Sequence, residues 1–180
     1  LNIGNIAINT HRSALNLDIN NINLDSKYPK FEFAHQHPKN KDWFGLKVDN
    51  IKLTEINIDS LLQKKIYGKG LYVNNTYLDN LKNQNIEIEH NSMPMIYEGL
   101  YKLPILFKID STLVRNFNVS YEELSRGAET PGRIFFTNMN GSINSLTNMP
   151  DSINQYLDLY ADGYLMGTGH FNALWKIVRI

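Results

Sequence analysis

The stretch Leu157-Asp-Leu-Tyr-Ala-Asp-Gly-Tyr-Leu-Met-Gly-Thr-Gly-His-Phe171 alternates with period two. Its odd positions are Leu157, Leu159, Ala161, Gly163, Leu165, Gly167, Gly169 and Phe171, while its even positions include Asp158, Tyr160, Asp162, Tyr164, Thr168 and His170. Side chains two apart share one face of a strand, so this spacing predicts one dry and one wet side. As a single strand it would reach about 50 Å at ~3.3 Å per residue. A hairpin turning at Asp162-Gly163 fits equally, because Asp-Gly is a favoured two-residue turn.

The same alternation recurs upstream. Leu15, Leu17 and Ile19 alternate with Asn16 and Asp18, and Ile22 and Leu24 resume after Asn20-Asn21. Phe44, Leu46 and Val48 alternate with Gly45 and Lys47; the phase changes after Asp49-Asn50, where Ile51, Leu53, Ile56 and Ile58 carry on. Phe31 and Phe33, Ile86 and Ile88, and Phe117, Val119 and Tyr121 give three more strand signals. Helical spacing is scarce: Ser60 to Lys65, Thr76 to Lys82 and Ser152 to Leu157 are the candidates, each a turn or two long. Loops are expected at Lys27 to Lys30, His37 to Asp42, Asn91 to Pro94, Ser125 to Gly132 and Asn148 to Ser152. None resembles an interdomain linker. The expectation is one continuous all-β segment, residues 1–180, with an elongated, twisted antiparallel sheet: a groove or an open sandwich.

An internal echo accompanies this pattern. Ile56-Asn-Ile-Asp-Ser-Leu-Leu resembles Phe107-Lys-Ile-Asp-Ser-Thr-Leu, and Asn23-Leu-Asp-Ser26 is a fainter third copy. Each copy is expected to open a strand, with the irregular spacing arguing against a strict solenoid.

Composition narrows the function classes. About one residue in eight is asparagine, a poor helix former and a good turn former. With 18 basic and 18 acidic residues the formal charge is zero, so the basic excess of a nucleic-acid binder is missing. There is no cysteine, which removes disulfides, thiolate metal sites and a Cys nucleophile. No apolar run approaches the ~18–20 residues that span a bilayer as a helix. The start at Leu1 and the apolar end, Trp175 to Ile180, read as a window on a longer protein or as a processed product.

Catalytic constellations are not found. His35-Gln-His37 has ligand-competent spacing but no third ligand at a companion position. His11, His90 and His170 are isolated. Glu122 and Glu123 are adjacent, so on a strand they point to opposite faces and cannot share a substrate. There is no Gly-x-Ser-x-Gly elbow and no Ser-x-x-Lys. Gly127 to Gly132 lacks the Lys of a phosphate cradle, and Gly68-Lys-Gly70 reads as a hairpin or bulge. The chain therefore reads as non-catalytic and without cofactor. Ten Tyr, eight Phe and two Trp could stack on sugars, although strand packing explains them as well.

Three stretches carry a family resemblance. Lys108 to Glu123 holds an Ile-Asp-Ser strand and a Val-x-Tyr-x-Glu strand. Pro131 to Asn148 reads Pro-Gly-x-Ile-x-Phe-x-x-Met-x-Gly-x-Ile-x-x-Leu-Thr-Asn, and Ala161 to Gly169 reads Ala-Asp-Gly-x-Leu-Met-Gly-x-Gly. These resemble the AsmA-like envelope proteins of Bacteroidetes-type bacteria over roughly the C-terminal 75 residues. The first hundred match in style alone. The resemblance implies a periplasmic, groove-like β-sheet in a parent anchored in the inner membrane outside this window. It also implies a part in phospholipid transport and outer-membrane biogenesis, with phospholipid or another acyl lipid, and envelope proteins, as partners. Asp59-Ser-Leu61, Asp110-Ser-Thr112 and Asp151-Ser-Ile153 further resemble an O-glycosylation acceptor pattern of such proteins.

A sheet with one apolar face can hold acyl chains, since each buried CH₂ contributes about 0.8 kcal/mol. The expected lining is Leu15, Leu17, Ile19, Ile56, Ile58, Ile86, Ile88, Phe117, Val119, Leu157 and Leu159. The competing expectation is a closed β-sandwich binding carbohydrate or protein, or serving a structural role, because a sandwich and a groove write the same alternation. A hydrolase on a β scaffold is the third reading, weakened by the missing constellations.

Overall fold

A computed structural model describes residues 1–33, 42–85, 103–150 and 156–178. Alternation builds eight strands: β1 (Asn2–His11), β2 (Ala14–Leu24), β3 (Trp43–Asn57), β4 (Lys65–Asn83), β5 (Leu106–Leu124), β6 (Gly132–Thr147), β7 (Tyr156–Leu165) and β8 (Gly169–Val178). They form one twisted sheet in chain order, open at β1 and β8 and not closed into a barrel. All neighbours are antiparallel except β4 and β5, which run parallel for 19 residues each, about 60 Å at ~3.3 Å per residue. The described strands thus make a single layer rather than the two packed sheets of a sandwich.

The short helix α1 (Ile58–Leu62) turns the chain from β3 to β4. Asn57 caps it: its Oδ1 accepts the Ser60 N–H at 2.7 Å, while Ser60 Oγ donates to the Asn57 carbonyl at 2.8 Å. The tripeptide Ile-Asp-Ser is therefore helical at Ile58 but a strand at Ile109, so the internal echo does not mark a structural repeat. Ser60 is buried and its hydroxyl is engaged, which closes that acceptor motif to modification.

Four more expectations are corrected. Thr76 to Lys82 is not helical but lies inside β4, and Gly68-Lys-Gly70 makes no turn there. A Cβ on Gly68 would stand 3.2 Å from Ile109 Cδ1, so glycine lets the β5 side chain pass over the strand. The stretch from Leu157 to Phe171 is neither one strand nor a hairpin at Asp162-Gly163. β7 continues through that dipeptide to Leu165 and turns at Met166 (φ 53°) and Gly167 (φ 77°), with the Thr168 N–H donating to the Leu165 carbonyl. Phe31 and Phe33 belong to no strand, and Phe31 is exposed. The Ile86–Ile88 strand signal lies outside the described residues, as does most of Ser152–Leu157.

Paired residues of neighbouring strands lie side by side on one face, so the pairings draw rows across the sheet. One row crosses all eight strands: Ile8, Leu17, Leu53, Leu71, Thr112, Ile143, Leu159 and Trp175. The next holds Ile6, Ile19, Ile51, Val73, Val114, Gly141, Ala161 and Ala173. Ile3, Ile22, Val48, Thr76, Phe117 and Met139 form a third, followed by Leu24, Leu46, Leu78, Val119, Phe136 and Leu165. The other face reads Ala7, Asp18, Lys52 and Tyr72, or Asn5, Asn20, Asn50 and Asn74.

Strict alternation alone would not keep these rows on one face. Between rows the strands step by three residues, from Ile19 to Ile22, Val73 to Thr76, Val114 to Phe117 and Phe136 to Met139. Each of these steps contains a left-handed residue: Asn21, Asn75, Asn116 and Asn138, with φ between 51° and 57°. Such a residue reverses the alternation, as in a β-bulge. Asparagine adopts that conformation at low cost, and the left-handed pair Asn116 and Asn75 also bridges strands, Asn116 Nδ2 donating to Asn75 Oδ1 at 2.9 Å. Asparagines of ordinary strand conformation bridge too: Asn50 Nδ2 donates to Asn20 Oδ1 at 2.8 Å, and Asn74 Nδ2 to Asn50 Oδ1 at 3.1 Å. This ladder accounts for much of the asparagine enrichment. A second set of steps, Leu53 to Ile56 and Ile143 to Leu146, contains Glu55 and Ser145, also left-handed.

Candidate functional site

The apolar face is the most extended chemical feature of the described residues. Eight strands spaced ~4.8 Å apart make it about 34 Å wide. Its densest part is the cluster of Phe107, Ile109, Leu146 and Leu157, with Leu53, Ile66, Leu71 and Ile143 packed against it. Outside that cluster Val48, Ile56, Thr76 and Thr112 are also buried, while the face is exposed at the margins: Ile6 at 53 %, Ile8 at 60 % and Trp175 at 45 %. Among the described residues no large side chain is fully enclosed, in contrast to a two-layer core.

The expected lining residues distribute as follows. Leu15 pairs with Ile56, Leu17 and Leu159 share the eight-strand row, and Ile19 stands in the next row. Phe117 and Val119 lie in the two rows beyond it. Leu157 is enclosed in the dense cluster rather than lining an open surface. Ile58 starts α1, so it belongs to no strand row. Ile86 and Ile88 lie outside the described residues. Sequence reasoning missed Leu71, Val73, Val114, Ile143 and Met139 in the centre of the face; the three-residue steps flanking each asparagine were the available signal.

Beyond Leu78 and Val119 the next row sets polar Asn80 and Tyr121 between Phe44 and Ile134. Asn80 and Tyr121 pair there, and the Tyr121 hydroxyl donates to Glu123 Oε2 at 2.6 Å. Gln84 Nε2 also donates to Glu123. Burial, then the Glu123 hydrogen bond and charge, push the Tyr121 phenol well above its ordinary range. Asp42 stands nearby with its carboxyl raised, chiefly by burial. Glu122 faces the other way, 3.1 Å from Lys30 Nζ, which also meets Asp79 at 2.8 Å. The two adjacent glutamates serve opposite faces, as strand alternation requires.

The polar face carries shallow troughs. One of about 600 Å³ is lined by Trp43, Lys47, Tyr77, Asp79 and Phe135, and one of about 970 Å³ by His11, Glu55, Tyr67 and Lys69. Two of their carboxylates are in ion pairs, Asp79 with Lys30 and Glu55 with Lys69 at 2.9 Å. His170 packs against the Tyr164 ring at 5.3 Å, and His35 and His37 lie outside the described residues. No group of three His, Asp or Glu among the described residues is arranged to hold a metal ion.

No family model matches the chain, and neither a curated protein nor a solved structure matches it. The AsmA-like resemblance rests on three stretches of the sequence. Its segments fall on β5, β6 and β7 with the turn to β8, adjacent strands of the sheet. Its Phe-x-x-Met and Ile-x-x-Leu spacings are the three-residue steps that carry Asn138 and Ser145. The pattern encodes how β6 keeps its apolar side chains on one face.

Proposed function

We propose that the apolar face receives the acyl chains of phospholipid or a similar lipid, in a non-catalytic periplasmic segment of an AsmA-like envelope protein. In this reading the parent protein serves phospholipid transport and outer-membrane biogenesis. The observation that carries it is the set of apolar rows aligned across eight strands, on a sheet with no second layer among the described residues. Ile6, Ile8 and Trp175 leave apolar surface exposed at the margins of this face, as binding surfaces do. Side chains of the rows are aliphatic or aromatic apart from Met139, Thr76 and Thr112, the two hydroxyls having no hydrogen-bond partner among the described residues. Such a surface holds methylene groups without choosing a position along the chain, so a bound tail can slide. Asn80, Tyr121 and Glu123, between Phe44 and Ile134, offer a headgroup hydrogen-bonding groups at one end of the face.

Native mass spectrometry with lipid extraction, on the chain purified from a bacterial host, tests the proposal. The expected result is co-purifying phospholipid, lost when Leu17, Val119 or Leu159 is changed to Asp while the far-ultraviolet spectrum is kept. A lipid-free protein that takes up none from added vesicles would refute it.

A further inference from the structure

The polar face is not flat where β3, β4, β5 and β6 lie side by side. Its middle row there pairs Gly45, Asp79, Ser120 and Phe135, of which Gly45 and Ser120 are small. Larger side chains stand on both sides, Lys47 and Tyr77 in one flanking row and Trp43, Glu122 and Arg133 in the other. The small floor between tall walls makes the trough of about 600 Å³. Trp43 leans along its floor: a Cβ on Gly45 would stand 3.1 Å from Trp43 Cη2, so the glycine makes room for the indole. The indole N–H donates to the Tyr28 carbonyl at 3.2 Å, which holds the ring in place. Tyr77 stands on the opposite wall and is 54 % exposed.

The charges of the trough balance, with Lys30, Lys47 and Arg133 set against Asp25, Asp79 and Glu122. They are also held before any ligand arrives. Lys30 Nζ lies 2.8 Å from Asp79 and 3.1 Å from Glu122, and 5.4 Å from the centre of the Trp43 ring. Arg133 Nε donates to Ser120 Oγ at 2.9 Å, with the guanidinium 5.0 Å over Phe135. Side chains fixed in this way lose little freedom on binding. No net charge is left to attract an ion, yet each carboxylate keeps lone pairs beyond those its ion pair uses. A ligand that suits such a site has hydroxyls along its edge and C–H groups on its face. The hydroxyls meet the carboxylates and the guanidinium, and the C–H groups meet the negative face of an aromatic ring. Pyranose rings have both features. We propose that the trough binds a neutral saccharide chain, with Tyr77 as stacking platform, Trp43 and Phe135 as apolar walls, and Asp79, Glu122 and Arg133 bonding its hydroxyls. The site lies on the face opposite the apolar rows, so it stands or falls independently of acyl-chain binding.

The chain has two tryptophans, and Trp175 lies on the apolar face, so Trp175→Phe leaves Trp43 as the sole indole, inside the trough. This variant is titrated with maltohexaose, cellohexaose, xylohexaose, mannohexaose and chitohexaose. At least one should give a saturable change in Trp43 emission, and calorimetry on the wild type should return the same Kd. Tyr77→Ala in the same background should raise that Kd about tenfold, the size of one lost stacking contact. Ser120→Leu, which raises the floor of the trough, should abolish binding. Tyr67→Ala, ten residues away along β4 and outside the trough, should leave the Kd unchanged. Far-ultraviolet circular dichroism checks that every variant keeps its strands. Three results would each overturn the proposal: binding of none of the five chains by either method, folded Tyr77→Ala binding as tightly as Tyr67→Ala, or tighter binding of a heparin hexasaccharide than of any neutral chain.

Discussion

Changing Asn116 tests the backbone device that holds the apolar rows together. Asn116 is left-handed (φ 52°), its Nδ2 donates to Asn75 Oδ1 at 2.9 Å, and its Oδ1 accepts from Asn118 Nδ2 at 3.0 Å. Asn116→Gly keeps the backbone free to adopt that conformation and removes two exposed side-chain hydrogen bonds. At a net value near the lower end of ~0.5–1.5 kcal/mol each, the loss is about 1 kcal/mol. Asn116→Val removes the same bonds and adds the left-handed penalty of roughly 1–2 kcal/mol, which is severe for a β-branched residue. The valine variant should therefore be about 2–3 kcal/mol less stable than wild type, and the glycine variant about 1. Urea denaturation followed by circular dichroism reads both, with an unchanged slope showing that the same surface is exposed. If valine proves as stable as glycine, no left-handed step occurs at Asn116. The account of how Val114 and Phe117 reach one face would then fail.

Other consequences follow from burial and charge. Ile109 is 3 % exposed, so Ile109→Ala should cost about 2–4 kcal/mol, while Ile6→Ala, at 53 % exposure, should cost under about 0.5. Equal costs in the same urea titration would contradict the placement of the core. Tyr121 has a folded-state pKa raised above its unfolded value, so its stabilisation is full below about pH 10 and is lost as pH rises toward the folded value. Tyr121→Phe should therefore flatten the alkaline fall in stability, and a wild-type-like alkaline profile for the variant would refute that assignment.

The strands β2, β3, β5 and the first half of the final hairpin were legible in the sequence because their apolar side chains alternate in runs of at least three. The phase changes after Asn20-Asn21 and Asp49-Asn50 were visible too, although their alignment across strands depends on pairing that a single sequence does not contain. β4 was illegible for a physical reason. Its glycines at 68 and 70 and its step at Asn74-Asn75 break the alternation, and Leu71, Leu78 and Leu81 then fall at spacings that imitate a helix. Asp162-Gly163 has the residues of a turn, yet Gly163 lies inside β7 because a Cβ there would come 2.8 Å from Met139 Cγ. Packing set that glycine, and local turn preference did not. The apolar lining was legible residue by residue on β2 and β5. Ile58 was misplaced because Asn57 caps a helix at the point where alternation continues.

The central claim is that one face of the sheet, and not the other, meets acyl chains. Photocrosslinking tests it most directly, with benzoylphenylalanine placed at Leu17 or Val73 on the apolar rows and at Lys47 or Lys52 on the opposite face. After incubation with vesicles of radiolabelled phospholipid, the account predicts labelled protein from the Leu17 and Val73 variants and none above background from the lysine variants. Equal labelling from both faces, or none from the apolar rows, would contradict it.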